Sequence, residues 1–189
     1  MLALRGLRRS LHGAALAPRV PSVTLNDGVI QPMLGFGTYK IGHIPGSASS
    51  NGGGGPAAGA AGARGAAVAT FQAALQEGYR FLDCAEFYGN EDIVGEAIGR
   101  AVESGFVARK DLFVASKVWN DSVFMGPDAI RRQVERSLVD LDVSFLDSCL
   151  VHWPVPGAFH VEAFRTLLAI KAEGAIRSVG VANYTIADY

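Results

Sequence analysis

The sequence predicts an α/β fold with a parallel sheet, and three observations carry that expectation. Short apolar runs alternate with amphipathic helical segments from Ala66 onward. Equivalent strand ends recur at roughly 30 to 35 residue intervals, the length of one βαβ unit. Glycines at positions 78, 105 and 174 stand where the helical patterns stop, as expected of residues that take a left-handed conformation at no steric cost.

Before this alternation, Val23 and Leu25, then Asn26-Asp27-Gly28, then Val29 and Ile30 read as a short β-hairpin whose turn needs a positive φ. The apolar runs are FLDCA, LFVASKVW, FLDSCLVHW and SVGVANY, each of strand length. Between them, Val94, Ala97, Ile98 and Ala101 share one helical face. Ile130, Val134, Leu138 and Leu141 share another, and Phe164, Leu167 and Leu168 a third. About residues 42–67, Gly, Ala and Ser dominate, which reads as a flexible surface insertion; a linker between domains is the other reading, and the hairpin is too small to form a domain.

Composition narrows the function classes. With 189 residues, 49% hydrophobic and 19% charged, the chain suits one globular domain. A net charge of -1 gives no electrostatic reason to expect nucleic acid as a partner. No run approaches the roughly 18 apolar residues of a membrane span. Cys84 and Cys149 each sit in an apolar run and read as reduced core thiols, with no support for a disulfide framework or a metal site. Residues 1–21 differ from the rest: four arginines alternate with leucines and no acid occurs, which resembles an organelle transit peptide, mitochondrial or plastid. The other reading is a disordered leader on a cytoplasmic protein.

The chemical signal lies in the four later units, whose apolar strands each end in a polar group: Asp83, Lys117, His152 and Asn183. In a barrel of strand-helix units, C-terminal strand ends converge on one mouth, where acid, base and hydrogen-bonding groups meet. Each could instead merely cap its strand or the next helix, but four arrive in phase. Glu86 reads as loop surface and Glu91 as a helix-start carboxylate favoured by the helix dipole.

The segments GYRFLDCAEFYGNEDIVGEAI, LFVASKVWN, FLDSCLVHWP and SVGVANY, with the opening LNDGVIQPMLGFGTYK, closely resemble successive segments of the aldo-keto reductase family. The resemblance covers about residues 22–41 and 68–189. It implies a (β/α)8 TIM barrel, incomplete in this sequence at about five of eight units, occupying residues 22–189. It also implies NADPH as cofactor, NADH being the alternative, and a small-molecule aldehyde or ketone as substrate. Nothing in the sequence points to a particular oligomeric state.

Carried over by position, the resemblance makes Tyr88 the general acid, Lys117 its activator, Asp83 the partner of that lysine and His152 the group that orients the substrate. The chemistry agrees: carbonyl reduction needs a hydride at carbon and a proton at oxygen, and a nearby ammonium makes a phenol a better acid. His152 is the competing proton donor, since its ordinary range permits it. Thr38 and Asn183, with Asp83, resemble cofactor-contacting positions; His152, Tyr39 and Trp153 resemble substrate-contacting ones. Ala182 stands where the family usually has serine. The family's remaining units carry most contacts to the cofactor's pyrophosphate and adenosine, and open sheet edges in their place predict a poorly stable chain. The same residues leave two other classes open: a non-catalytic protein on the same fold that does not bind cofactor fully, and a barrel hydrolase using Asp83 and His152, for which no nucleophile or metal cluster is evident.

Overall fold

The computed structural model describes residues 20–42 and 60–188. The leader read at residues 1–21 falls almost wholly outside the described residues, as do residues 43–59 of the Gly/Ala/Ser stretch.

The chain opens with the expected hairpin, β1 (Ser22–Thr24) antiparallel to β2 (Ile30–Pro32). Its turn is closed by Gly28 N–H donating to the Leu25 carbonyl at 3.0 Å and Leu25 N–H to Val29 at 2.8 Å. Only Gly28, at φ 85°, needs the left-handed region. Lys171 then holds Asp27 at 2.5 Å, fastening the hairpin to a distant helix.

Five strands follow: β3 (Gly35–Gly37), β4 (Phe81–Asp83), β5 (Phe113–Val118), β6 (Leu146–Val151) and β7 (Ile176–Val181). All pair in parallel, in the order β3-β4-β5-β6-β7. Spatial order equals chain order, so each crossover moves one strand along in the same direction. A doubly wound sheet reverses direction at a switch point, whereas a (β/α) barrel never does. The architecture is therefore an incomplete (β/α)8 barrel, as expected. The crossovers are α1 (Ala60–Gln76), α2 (Glu91–Glu103), α4 (Pro127–Asp140) and α5 (Phe159–Ala172), with a short α3 (Asn120–Phe124) following β5.

Helix starts and stops follow local chemistry. Pro127 opens α4, where its missing N–H costs nothing. After α1, Gly78 N–H donates to Leu75 and Tyr79 N–H to Ala74, and after α2, Gly105 and Phe106 repeat the pattern on Val102 and Ala101. Gly78, Gly105 and Gly174 all have positive φ. Phe71 and Leu75 of α1, Val94 and Ile98 of α2, Ile130 and Val134 of α4 and Leu167 of α5 pack on Leu82, Val114, Cys149 and Ile176 of the sheet in one core. Gly95 brings α2 onto the end of α4 so closely that a Cβ there would lie 2.1 Å from the Asp140 carbonyl oxygen.

Two expectations are corrected. The stretch read as a flexible insertion ends in helix, because α1 begins at Ala60 and takes in residues 60–67. Alanine is the strongest helix former, and Arg64 secures this first part by pairing with Asp92 and Glu96 of α2. On α5 the buried face is Ala163, Thr166, Leu167 and Ile170, while Leu168 is 44% exposed. Helical periodicity identifies an apolar stripe but not which side of it a neighbour covers.

Candidate active site

The strand register explains why Asp83, Lys117 and Tyr88 meet. Asp83, the last residue of β4, is paired with Ala115 on β5. Lys117 lies two residues beyond Ala115, so the pleat puts it on the same face and one step nearer the mouth. The ladder ends with Cys84 N–H donating to the Ala115 carbonyl at 2.9 Å, and the chain then leaves the sheet into a 3-10 turn, Glu86–Tyr88.

Lys117 is 7% exposed, and its ammonium has three protons to place. Nζ donates to Asp83 Oδ1 at 2.6 Å, to the Cys84 carbonyl at 2.8 Å and to the Tyr88 hydroxyl oxygen at 3.2 Å. All three are used. Because the Tyr88 oxygen accepts from the ammonium, its own hydrogen remains to be donated elsewhere. Nζ also lies 4.9 Å from the Tyr88 ring centroid.

His152 directly follows β6, and its backbone N–H donates to Val118 at 3.1 Å. Its ring stands edge-on to Tyr88, with centroids 5.7 Å apart, and to Trp119 at 5.0 Å. Burial, then the neighbouring Lys117 ammonium, pull its pKa down to about 4. The imidazole is neutral at ordinary pH, and its buried Nδ1 has no hydrogen-bond partner among the described residues. A neutral ring beside a charged lysine can orient a carbonyl, and it is poorly suited to deliver a proton near neutrality.

Thr38, fully buried, donates its hydroxyl to the Asp83 carbonyl at 3.0 Å, so its side chain braces the end of β4. Tyr39 lies on the mouth side, tilted over Tyr88 at 5.0 Å. Trp153 is on the rim, 45% exposed. Asn183 sits just past β7 with φ 63°, and its amide donates to the His152 carbonyl at 2.8 Å. That bond ties the end of β7 to the residue that presents the imidazole.

Sequence reasoning missed several residues here. Phe87 and Trp119 stack at 4.1 Å and, with Tyr39, form an aromatic wall beside His152 and Tyr88. Their adjacency to Tyr88 and to the end of the β5 run was the available signal. Glu86, read as loop surface, accepts from Trp119 N–H at 2.6 Å and from Ser122 Oγ at 2.7 Å. Asn90 is fully buried and its amide donates to Thr38 and Ile41 carbonyls at 2.8 and 2.9 Å. Glu91 does begin α2, but it is buried and accepts from Ser116 and Ser137.

Cys84 and Cys149 are free and buried, and burial pushes both thiols well above their ordinary range. Among the described residues no group of three or more His, Cys, Asp or Glu side chains is arranged to hold a metal ion. No helix among them is long and apolar enough to cross a membrane.

Strand order and a strand-end site define a barrel with its polar groups at the carboxyl mouth. Residues 34–189 match the model of the aldo/keto reductase family. The chain belongs to that family. It is 32% identical to the NADPH-dependent D-xylose reductase of Meyerozyma guilliermondii, over 86% of this chain and 52% of that protein. It is 33% identical to the methylglyoxal reductase DkgA of Salmonella typhimurium, over 87% and 50% respectively. A Bombyx mori aldo-keto reductase solved in complex with NADP superposes with a TM-score of 0.70 at 26% identity, covering 86% of this chain and 50% of that one. The chain thus spans about half the length of the curated relatives it matches.

Proposed function

We propose that this chain carries the proton-delivering part of a nicotinamide-dependent reductase that turns the carbonyl of a small aldehyde or ketone into an alcohol. The single observation that supports it best is the saturation of Lys117: three donors on Asp83, Cys84 and Tyr88, with the phenolic hydrogen left free. The named relatives, reductases of xylose and methylglyoxal, support the same class of substrate, and one is named for NADPH.

In this reading the substrate's carbonyl oxygen lies between the Tyr88 hydroxyl and the His152 ring. Tyr88 gives its proton to that oxygen as charge develops there, and the Lys117 ammonium stabilises the phenolate that remains. Asp83 offsets the cost of keeping that ammonium charged within the mouth. His152, neutral, donates a hydrogen bond that holds the carbonyl in line. Phe87, Trp119 and Tyr39 exclude water and favour a flat or apolar substrate body.

A nicotinamide, when bound, supplies the hydride that completes the reduction. The residues at this mouth suit its ring end. Asn183, held in a left-handed conformation at the end of β7, would take the carboxamide, and Tyr39 would flank the ring, with Thr38 bracing the strand end beneath. NADPH is the proposed form.

The test is titration of the purified chain with NADPH and NADH, followed by nucleotide fluorescence, with aldehyde-dependent oxidation of NADPH measured alongside. Binding with turnover is expected, and Tyr88→Phe should lower turnover by about 10²- to 10⁴-fold, the usual worth of a positioned acid. Absence of nucleotide binding would favour a non-catalytic protein on this fold. Near-normal turnover in Tyr88→Phe would move the proton to His152.

A further inference from the structure

The contact between Tyr88 and Lys117 spans two segments that the sheet does not hold together. Beyond the Cys84–Ala115 bond the β4–β5 ladder has ended, and the turn that carries Tyr88 has only local backbone bonds, Tyr88 N–H to Ala85 and Gly89 N–H to Glu86. Neither fixes where the turn sits relative to β5. Two carboxylates do, alongside the Phe87–Trp119 stack and the Lys117 bonds themselves. Glu86, two residues before Tyr88, reaches Trp119 N–H and Ser122 Oγ; Glu91, three residues after it, accepts from Ser116 Oγ at 2.5 Å and Ser137 Oγ at 2.7 Å. Their anchors on the β5 segment, Ser116 and Trp119, stand on either side of Lys117 in the chain.

We propose that Glu86 and Glu91 are positioning residues that clamp the Tyr88 turn to β5 from both ends and thereby set the distance between the Tyr88 hydroxyl and Lys117 Nζ. The inference rests on the reading of Tyr88 as proton donor, and it names what makes that donor competent. Neither carboxylate touches the reacting atoms: Glu91 is buried beneath the sheet on the α4 side, against Ser137, and Glu86 accepts from the residue at the start of α3. Glu91's two hydrogen-bond partners are hydroxyls on β5 and α4, so what these bonds fix is the geometry of the turn. Asn90, between them, binds the loop that carries Thr38 and Tyr39, so the same short segment also fixes the third side of the mouth.

Glutamine at position 91 keeps the clamp, since one serine hydroxyl can turn to accept from its amide while the other still donates to its oxygen. Alanine cannot. The test is NMR of the full chain, isotope-labelled at lysine and tyrosine, following the cross-peak between the Lys117 Hε protons and the Tyr88 ring, with Tyr88→Phe and Lys117→Met used for assignment. In folded Glu86→Ala and Glu91→Ala the cross-peak should fall at least twofold, and in Glu91→Gln it should return to wild-type strength. Where an alanine variant does not fold, Ser122→Ala replaces Glu86→Ala, and Ser116→Ala replaces Glu91→Ala, with the same expectation.

In turnover the alanine variants should lose about tenfold in kcat or more while KM stays within about twofold, because a misplaced acid slows chemistry without weakening binding. An undiminished cross-peak in folded variants at both positions, or one lost in Glu91→Gln as fully as in Glu91→Ala, would overturn the clamp. Those results would leave the role of Tyr88 intact. Full turnover in Tyr88→Phe, by contrast, would remove the proton donor whether or not the clamp holds.

Discussion

Lys117 Nζ lies 2.6 Å from Asp83 Oδ1 across the β4–β5 ladder, and the two partners differ in their access to water: Lys117 is almost enclosed, while the Asp83 side chain is 35% exposed. The pair is therefore asymmetric. Asp83→Ala strands an ammonium in the mouth with only a carbonyl and a phenol to accept from it, and should cost about 3 kcal/mol in urea unfolding, the lower end for breaking one side of a buried pair. Lys117→Met leaves a carboxylate that can still hydrate, and should cost less than about half of that. Equal losses in the two variants would refute this asymmetry.

His152 titrates at about 4 in the folded chain, against 6.5 for its ordinary value. Between those two pH values the unfolded chain binds a proton that the folded chain does not, so stability falls as pH drops through that window and is unaffected by this group above it. An NMR titration should show His152 neutral down to about pH 4.5, and His152→Gln should flatten the stability profile between pH 6.5 and 4. A His152 midpoint near 6.5 would remove both the slope and the argument for a neutral orienting ring.

Glu91 runs the opposite way. Burial raises its carboxyl above the ordinary 4.5, outweighing the two serine hydrogen bonds that lower it. Its stabilising contribution is complete below that ordinary value and declines as pH rises through the elevated folded one. Glutamine has no such decline, so the stability of Glu91→Gln relative to wild type should improve as pH rises above the ordinary 4.5 and level off once the folded carboxyl has ionised. A difference that is flat with pH would count against a raised carboxyl.

Gly95 tests the packing that supports the site from outside. A Cβ there would meet backbone, 2.1 Å from the Asp140 oxygen and 2.7 Å from the Leu141 carbonyl carbon, and backbone cannot swing away. Gly95→Ala should lower stability by about 1–3 kcal/mol or more. Gly180→Ala meets only the end of the Leu150 side chain, at 2.8 Å, and should cost less. Comparison of denaturation midpoints decides it; a milder effect at Gly95 would contradict the packing.

The sheet and its polar strand ends were legible because they are local signals: an apolar run, a polar residue in phase, a glycine stop. Asp83, Lys117 and His152 fall where that reading puts them, and the register brings the first two into contact. Glu86, Asn90 and Glu91 were not legible, since their partners lie 25 to 52 positions away and no periodicity encodes a side-chain bond of that range. The sequence shows Glu91 only as a helix-start carboxylate that the helix dipole favours; its serine partners become visible only once α4 is laid against β5. The start of α1 was obscured by glycines among its alanines, and it depends on Arg64 meeting acids on the following helix.

The ion pair between Asp27 and Lys171 joins positions 144 apart in the chain. A ribosome adding about 5–20 residues per second would need roughly 7–30 s to travel between them. Throughout that interval the hairpin lacks this tether to α5, while Val23 and Ile30 stay exposed before and after it forms. The latch closes only when the fifth helix is out, so a slowing of translation beyond α5 should hasten productive docking and one before it should delay it.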